Sequence, residues 1–334
     1  MMDTYIIFNG DEGTIAAYMV INAIRKKLKN FPGEIKKIIP ISGPKEDLVL
    51  WRFLPEKTEN SIIYSLDLAL SKNLIYVEKF LAKNNLILYI DHHYPGKIIP
   101  EHKNFNLLLA DDRKHNTSTF VNELCGKIFD LWATAGASGD NKIEIFNELS
   151  FKNNLSDYEK KLLWRFGKFI NSHSFSPKDK MSPTELLKDL LNYFSPFDYI
   201  KNSKTYAKLA QTYLNDIKNV RSNIKTLYED KNLIIIEFPA GDYSQRMFAG
   251  LAYWFYEHNK EKVIFCLFPQ STTNEGTLFS VSIRSNSNAN LIAEQLGGGG
   301  RHNAAGANYL LKKNSDIREF IIKIKKSVEN AKSS

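Results

Sequence analysis

Residues 86–93 read LILYIDHH, an uncharged β-prone run that ends on one acid and two histidines. Such a short apolar run, rich in Ile, Leu and Tyr, suits a strand buried on both faces. Two similar runs stand upstream, 5–8 (YIIF) and 62–66 (IIYSL). Between them, 14–28 and 72–83 place apolar residues at three- and four-residue spacing, which predicts helices. Strands alternating with helices imply an α/β fold with a mostly parallel sheet. In such a sheet ligands gather at the carboxyl ends of the strands. The acid and histidines of this stretch fall where an α/β protein does its chemistry.

Downstream, 142–197 is polar and helical and is broken by SFSPKDKMSP and SPF. Residues 203–228 then read as one long helix, with Tyr206, Leu209, Ala210, Tyr213, Ile217, Val220, Ile224 and Leu227 on its apolar face. A second α/β unit follows, with strands expected in 233–238, 263–268 and 278–284. The expected organisation is an N-terminal lobe over 1–197 with a mostly parallel sheet, a linker helix over 198–230, and a smaller mixed-sheet lobe over 231–334. A chain of 334 residues fits two domains better than one small module.

Composition narrows the class further. With 43% hydrophobic and 25% charged residues, the chain is neither disordered nor low in complexity. The apolar stretches are too short to span a bilayer. The first residues, MMDTYIIFNG, lack the pattern of a secretory signal. Cys125 and Cys266 make neither a disulfide framework nor a zinc site. A reducing cytoplasm is the expected location. The net charge of +8 comes from two segments, 201–232 and 312–334, each with seven basic against three acidic residues. Solvated helix faces account for such runs, and so does attraction to a polyanion such as nucleic acid.

Three acids carry the chemical reading. Asp67 follows IIYSL, Asp91 follows LILYI, and Asp140 follows the small-residue segment ATAGASG. Each is expected at the end of a strand. One acid in such a place is ordinarily a turn or cap residue; three with the adjacent pair His92 and His93 are a different matter. Converging carboxylates repel one another unless a cation lies between them. Mixed carboxylate and imidazole donors suit Mn²⁺ or another first-row ion better than an all-oxygen Mg²⁺ cage. A second block, SIRSNSNANLIAEQLGGGGRHNAAGA over 282–307, joins a strand, a serine-rich turn, a helix and four glycines. There Gly298, Gly299 and Gly300 let the backbone come close to an anion. Arg284, Arg301 and His302 offer charge-assisted hydrogen bonds to a phosphate or carboxylate, beside Ser285.

Together these motifs resemble the DHH phosphoesterase superfamily, in the branch with the DHH-associated C-terminal domain. That branch includes RecJ-type exonucleases, nanoRNases, nucleotide phosphatases and cyclic-dinucleotide phosphodiesterases. Asp67 matches the family's second motif, Asp91-His92-His93 its third, Gly139-Asp140 its fourth, and GGGGRHNAAG its C-terminal glycine motif. Thr117–Thr119 resembles the Thr/Ser segment that opens the helix after the third motif. The first motif departs. Where the family has His-x-Asp-x-Asp-Gly, this chain has Phe8-Asn9-Gly10-Asp11-Glu12-Gly13. Aligned without a gap, Phe8 takes the place of the His and only Glu12 remains as an acid. With one deletion, Asn9, Asp11 and Glu12 take the ligand positions, and this alignment is preferred because it keeps two carboxylates. Either way the usual histidine is gone. Arg301 stands where the glycine motif usually has His.

The resemblance implies two Mn²⁺ or Mg²⁺ ions, the first of them weakly held. It implies Asp67 as a bridging ligand, His92, Asp140 and Glu12 completing one site, and Asn9 and Asp11 the other. His93 would face the substrate phosphate, Asp91 would orient a histidine, and Arg284, Ser285 and the glycine loop would hold the far end of the substrate. The expected substrates are short oligonucleotides or single-stranded nucleic acid. A small nucleotide, either a bisphosphate or a cyclic dinucleotide, is the alternative. Another is a catalytically impaired binding or scaffold protein. The expected partners are these ligands, no membrane, and room for a homodimer.

Overall fold

Strand β1 (Asp3–Asn9) lies inside a five-stranded sheet, with Ile6, Ile7 and Phe8 fully buried. Its companions are β2 (Glu34–Ile41), β3 (Ile62–Leu66), β4 (Leu86–Asp91) and β5 (Phe105–Leu109), in the order β2-β1-β3-β4-β5. Every pairing is parallel. The computed structural model describes residues 2–41, 53–112, 114–174 and 182–332, with the backbone alone for Ser174, Arg301 and Lys332. Residues 175–181 of the SFSPKDKMSP segment fall outside the described residues. The chain divides into two compact units, Met1–Gln211 and Thr212–Ser334.

In the first unit the strand order reverses at β1, which has β2 on one side and β3 on the other. This is the switch point at which open parallel sheets form their ligand crevice. Helix α1 (Glu12–Arg25) leaves β1 and is buried along nearly all its length, as its sequence EGTIAAYMVINAIR requires. Helix α2 (Leu70–Leu81) follows β3. Helices α3 (Thr117–Leu124), α4 (Asp130–Gly139), α5 (Ile143–Lys152), α6 (Asp157–Ser174), α7 (Pro183–Leu190) and α8 (Pro196–Asn202) complete the unit. Helix α4 approaches α6 so closely that a Cβ on Gly167 would lie 2.1 Å from the Ala135 carbonyl. The edge strands β2 and β5 had no clear signal in the sequence. Both are half exposed, so neither carries the continuous apolar run of a buried strand.

Two expectations need correction. Asp140 does not end a strand: it follows α4 as that helix's C-terminal cap. The small residues before it serve close helix–helix packing. Nor do residues 203–228 form one helix. Helix α9 (Lys204–Asn223) runs through the division at Gln211, and residues 225–229 are strand β6 (Lys225–Glu229). The tertiary sheet overrides the helical spacing of Leu227, because β6 pairs antiparallel with β7 (Leu233–Glu237). The Asp230 carboxylate fixes the turn between them, accepting from the amides of Asn232 at 2.7 Å and Leu233 at 2.9 Å. The segment 198–230 is therefore not a single linker helix.

The second unit adds α10 (Asp242–Glu257), β8 (Val263–Thr272), β9 (Gly276–Arg284), α11 (Ala289–Glu294), β10 (Gly299–Arg301), β11 (Ala304–Lys312) and α12 (Ile317–Lys332). Its sheet runs β10-β11-β9-β8-β7-β6 and is mixed, β7 and β8 being its parallel pair. Alternation along β7 fills both sides: Leu233 and Ile235 join a core with α11 and α12, Ile234 and Ile236 a core with α10. No described helix is long and apolar enough to cross a membrane.

Candidate active site

The ends of β1, β3 and β4 bring Asn9, Asp11, Glu12, Asp67, Asp91, His92 and His93 together. Asp11 caps α1 by accepting from the Gly13 amide at 3.3 Å. Asn9, the last residue of β1, donates from Nδ2 to Asp11 Oδ2 at 2.9 Å and to Asp67 Oδ2 at 3.3 Å. Phe8 lies in the core, so Asn9 is the residue that β1 turns toward Asp67. Asp67 itself is buried and has a φ of 60°, in the left-handed region sparsely used outside glycine. Thr117 Oγ1 donates to its Oδ1 at 3.0 Å. Gly13 is needed beside them: a Cβ there would stand 3.1 Å from that of Asp67.

Glu12 opens α1 and is 1% exposed. The backbone amides of Thr117 and Ser118 donate to its two carboxylate oxygens, each at 2.9 Å, at the start of α3. A carboxylate is favoured there by the free amides and dipole of the helix N-terminus. From β4, Asp91 Oδ1 accepts from the His92 amide at 2.8 Å and from His93 Nδ1 at 2.7 Å. His92 Nε2 stands 3.4 Å from Asp67 Oδ1 and 3.5 Å from Asp140 Oδ2.

Burial, and next the charge of Asp67, hold the carboxyls of Asp11 and Glu12 well above the usual range. Asp67 goes the other way. Burial opposes its charge, but His92 and His93 outweigh it and hold the carboxyl below the usual range. Burial likewise opposes a charged His92, yet Asp112, Asp67 and Asp140 push that imidazole up to about 12.

The donor set fits a divalent cation. Ligand atoms of Asp67, Asp91, His92 and His93 all lie within 4.8 Å of one another, as do those of Glu12, His92 and Asp140. The buried Oδ2 atoms of Asp91 and Asp140 have no hydrogen-bond partner. Asp140 Oδ2 has the long ion pair with His92 Nε2 in place of a hydrogen bond, and a cation would satisfy buried carboxylate oxygens of this kind. The group Asn9, Asp11 and Asp67 fits less well, because the amide nitrogen of Asn9 already bridges the two carboxylates by hydrogen bonds.

Three residues of this region were not singled out in the sequence. Asp112 Oδ1 accepts from His92 Nδ1 at 2.8 Å and from Lys142 Nζ at 2.6 Å. Asp112 stands just past β5, behind Ala110 and Asp111, so the strand-end rule reaches it only once that half-exposed edge strand is recognised. Lys168 of α6 donates to Asn141, next to Asp140, and lies 4.6 Å from the Trp164 ring centroid. Burial, against the pull of Asp140, brings that amine down to about 7. One lysine on an amphipathic helix gives no such signal.

The C-terminal motif is more built than a flexible loop. Gly297, with a φ of 78°, follows α11, and Gly299–Arg301 is strand β10, paired antiparallel with β11. A Cβ on Gly298 would come within 2.1 Å of the Gly306 carbonyl, and one on Gly300 within 2.5 Å of Ala305 Cα. Gly299 has open space instead. Packing alone therefore demands two of the three glycines. Arg284 ends β9 opposite Ala304. Ser285 Oγ donates to the Ser287 carbonyl at 2.6 Å, and His302 Nδ1 accepts from the Asn288 amide at 3.0 Å. For Arg301 only the backbone is described.

Residues 230–330 match the family model of the DHHA1 domain. No curated protein matches the sequence. Among solved structures, the chain is similar to a DHH-domain member of the s1p family of ribosomal proteins, with a TM-score of 0.66 and 14% identity over 98% of this chain and 86% of that one. It is similar to exonuclease RecJ bound to manganese, with a TM-score of 0.59 and 14% identity, covering 97% and 89% of the two chains. The pGpG-specific phosphodiesterase PggH from Vibrio cholerae gives 0.53 and 14%, covering 98% and 99%. At such identity the likeness is one of fold: a DHH-type fold that carries a DHHA1 domain.

Proposed function

We propose that this chain, with its DHH-type fold and DHHA1 domain, is a metal-dependent phosphodiesterase of short or single-stranded nucleic acid. The observation that carries the reading is the pair of overlapping ligand groups, Asp67-Asp91-His92-His93 and Glu12-His92-Asp140, at the sheet's switch point. Asp67, His92 and Asp140 would hold one divalent ion, with Glu12 beside them. Asn9 and Asp11 would hold a second, weaker one with Asp67. Bound there, such ions neutralise charge on the phosphate and make water a better nucleophile.

The chain's own residues do the rest. Asp112 fixes His92 so that Nε2 is turned toward Asp67 and Asp140. Asp91 orients His93, the more exposed of the two histidines, for the substrate phosphate. In the second unit, Arg284 and His302 would supply charge-assisted donors to a phosphate. Manganese in the RecJ structure supports the choice of ion. The two segments of net charge +4 support a polyanionic substrate.

One panel tests this. The purified protein is given Mn²⁺ or Mg²⁺ with RNA and DNA oligomers, a mononucleotide bisphosphate and cyclic dinucleotides. Faster turnover of oligomers is expected. Preference for bisphosphates or cyclic dinucleotides would shift the reading to a small-nucleotide enzyme, in keeping with the specificity in PggH's name. A second reading, a binding protein with impaired catalysis, is favoured by the Asn9 amide between Asp11 and Asp67 and by the two backbone amides on Glu12. Binding of oligomers without turnover of any compound would establish that reading instead.

A further inference from the structure

In the second unit, α10 and the part of α9 after Gln211 carry an aromatic and cationic surface that includes none of the proposed metal ligands. Trp254, near the end of α10, is 39% exposed although tryptophan is among the costliest side chains to leave in water. The Arg221 guanidinium of α9 lies over its ring, 5.2 Å from the centroid. The His258 imidazole lies 4.2 Å from it at 32°. Arg221 and His258 are themselves exposed. On α9, exposed Leu214, Lys218 and Arg221 follow one another at helical spacing, so this stripe leads to Trp254. The nearby acid Glu257 is paired with Lys260 at 3.1 Å. Tyr256 Oη donates to Asn286 Oδ1 at 2.6 Å, which ties α10 to the segment just after Arg284.

We infer that the exposed Trp254, flanked by Arg221 and His258, is a platform for a nucleobase of single-stranded nucleic acid. An aromatic plane supplies stacking that any base can use, and flanking cations follow the phosphates. Charge favours this ligand over an apolar protein partner, since the exposed Lys218 and Arg221 complement phosphates. The inference concerns binding by the second unit and does not depend on hydrolysis.

Binding is measured with a labelled ten-nucleotide oligo-dT in EDTA, so that no metal-dependent cleavage intervenes. Trp254→Ala should weaken affinity about tenfold, the effect of one lost base stack. Trp254→Phe should keep most of the affinity. An abasic oligomer of equal length should bind wild type and Trp254→Ala alike. In the unaltered protein, 5-iodouracil placed in the oligomer should cross-link to the peptide that carries Trp254, which guards against a variant that misfolds. Equal oligo-dT affinity of wild type and Trp254→Ala, or adducts on other peptides alone, would overturn the inference. Unchanged affinity with altered self-association would mark the surface as a protein contact and likewise overturn it. Because the measurement is made without metal, absence of turnover in the substrate panel would leave this result standing, and the reverse holds too.

Discussion

His92 Nδ1 donates to Asp112 Oδ1 at 2.8 Å, joining the end of β4 to the segment that follows β5. This bond fixes which imidazole nitrogen is left for the carboxylates of Asp67 and Asp140. The Lys142 ammonium, 2.6 Å from the same oxygen, holds Asp112 in turn. Asp112→Asn keeps the shape but removes the charge, and Mn²⁺ affinity should fall roughly 10- to 100-fold, as for other partners of a ligating histidine. Calorimetric titration checks it. Unchanged affinity would make the Asp112–Lys142 pair purely architectural.

Asp67 is shared by both proposed ion positions, so its charge should matter most. Asparagine tolerates the left-handed conformation at this position and preserves the volume. Asp67→Asn should therefore stay folded by circular dichroism yet lose Mn²⁺ binding. Two ions binding as before would remove Asp67 from the centre.

Asn9 offers a carboxamide where the resemblance implies an imidazole. Asn9→His should raise Mn²⁺ affinity and any hydrolytic rate, because imidazole is the better ligand for a first-row ion. If neither quantity moves, the first-motif alignment is wrong.

Mn²⁺ binding should release protons. In the metal-free protein His92 titrates near 12, above its ordinary 6.5, so at neutral pH it carries a proton on each nitrogen. Its stabilising contribution is fully present below 6.5 and is lost only as pH rises through 12. A cation taking Nε2 must displace that proton, so affinity should rise about tenfold per pH unit for each proton released. The raised carboxyls of Asp11 and Glu12 act in the same direction. Titrations from pH 6 to 8, in buffers of different ionisation enthalpy, count the protons. An affinity flat with pH would exclude Nε2 of His92 as a ligand.

Gly298 and Gly299 should respond oppositely to a single methyl. A Cβ at Gly298 meets backbone at 2.1 Å, whereas one at Gly299 meets nothing within 4 Å. Gly298→Ala should cost about 1–3 kcal/mol by overpacking, and Gly299→Ala should leave stability near wild type. Urea denaturation of the two variants compares them. Equal midpoints would mean that β10 and β11 pair more loosely than this.

The sequence by itself determined the α/β character, the buried strands β1, β3 and β4, and the two-unit plan. Those features rest on local periodicity: continuous apolar runs where both faces are buried, three- and four-residue spacing where one helical face is. It also singled out Asp67 and the Asp91-His92-His93 group, because an acid directly after an apolar run is visible without knowing what it meets. Only the tertiary structure decided the rest. Residues 225–229 have helix-like spacing but become β6, because pairing with β7 satisfies their backbone within the sheet. The segment before Asp140 is a helix because its small side chains let α6 approach. Edge strands β2 and β5 escaped notice because half of each faces water, and Asp112 escaped with them. The approach of Asn9 to Asp67, 58 positions along the chain, and of Glu12 to the amides of α3, 105 and 106 positions away, follows from β1 lying between β2 and β3. Such distant contacts depend on strand order, and no local pattern of residues encodes strand order.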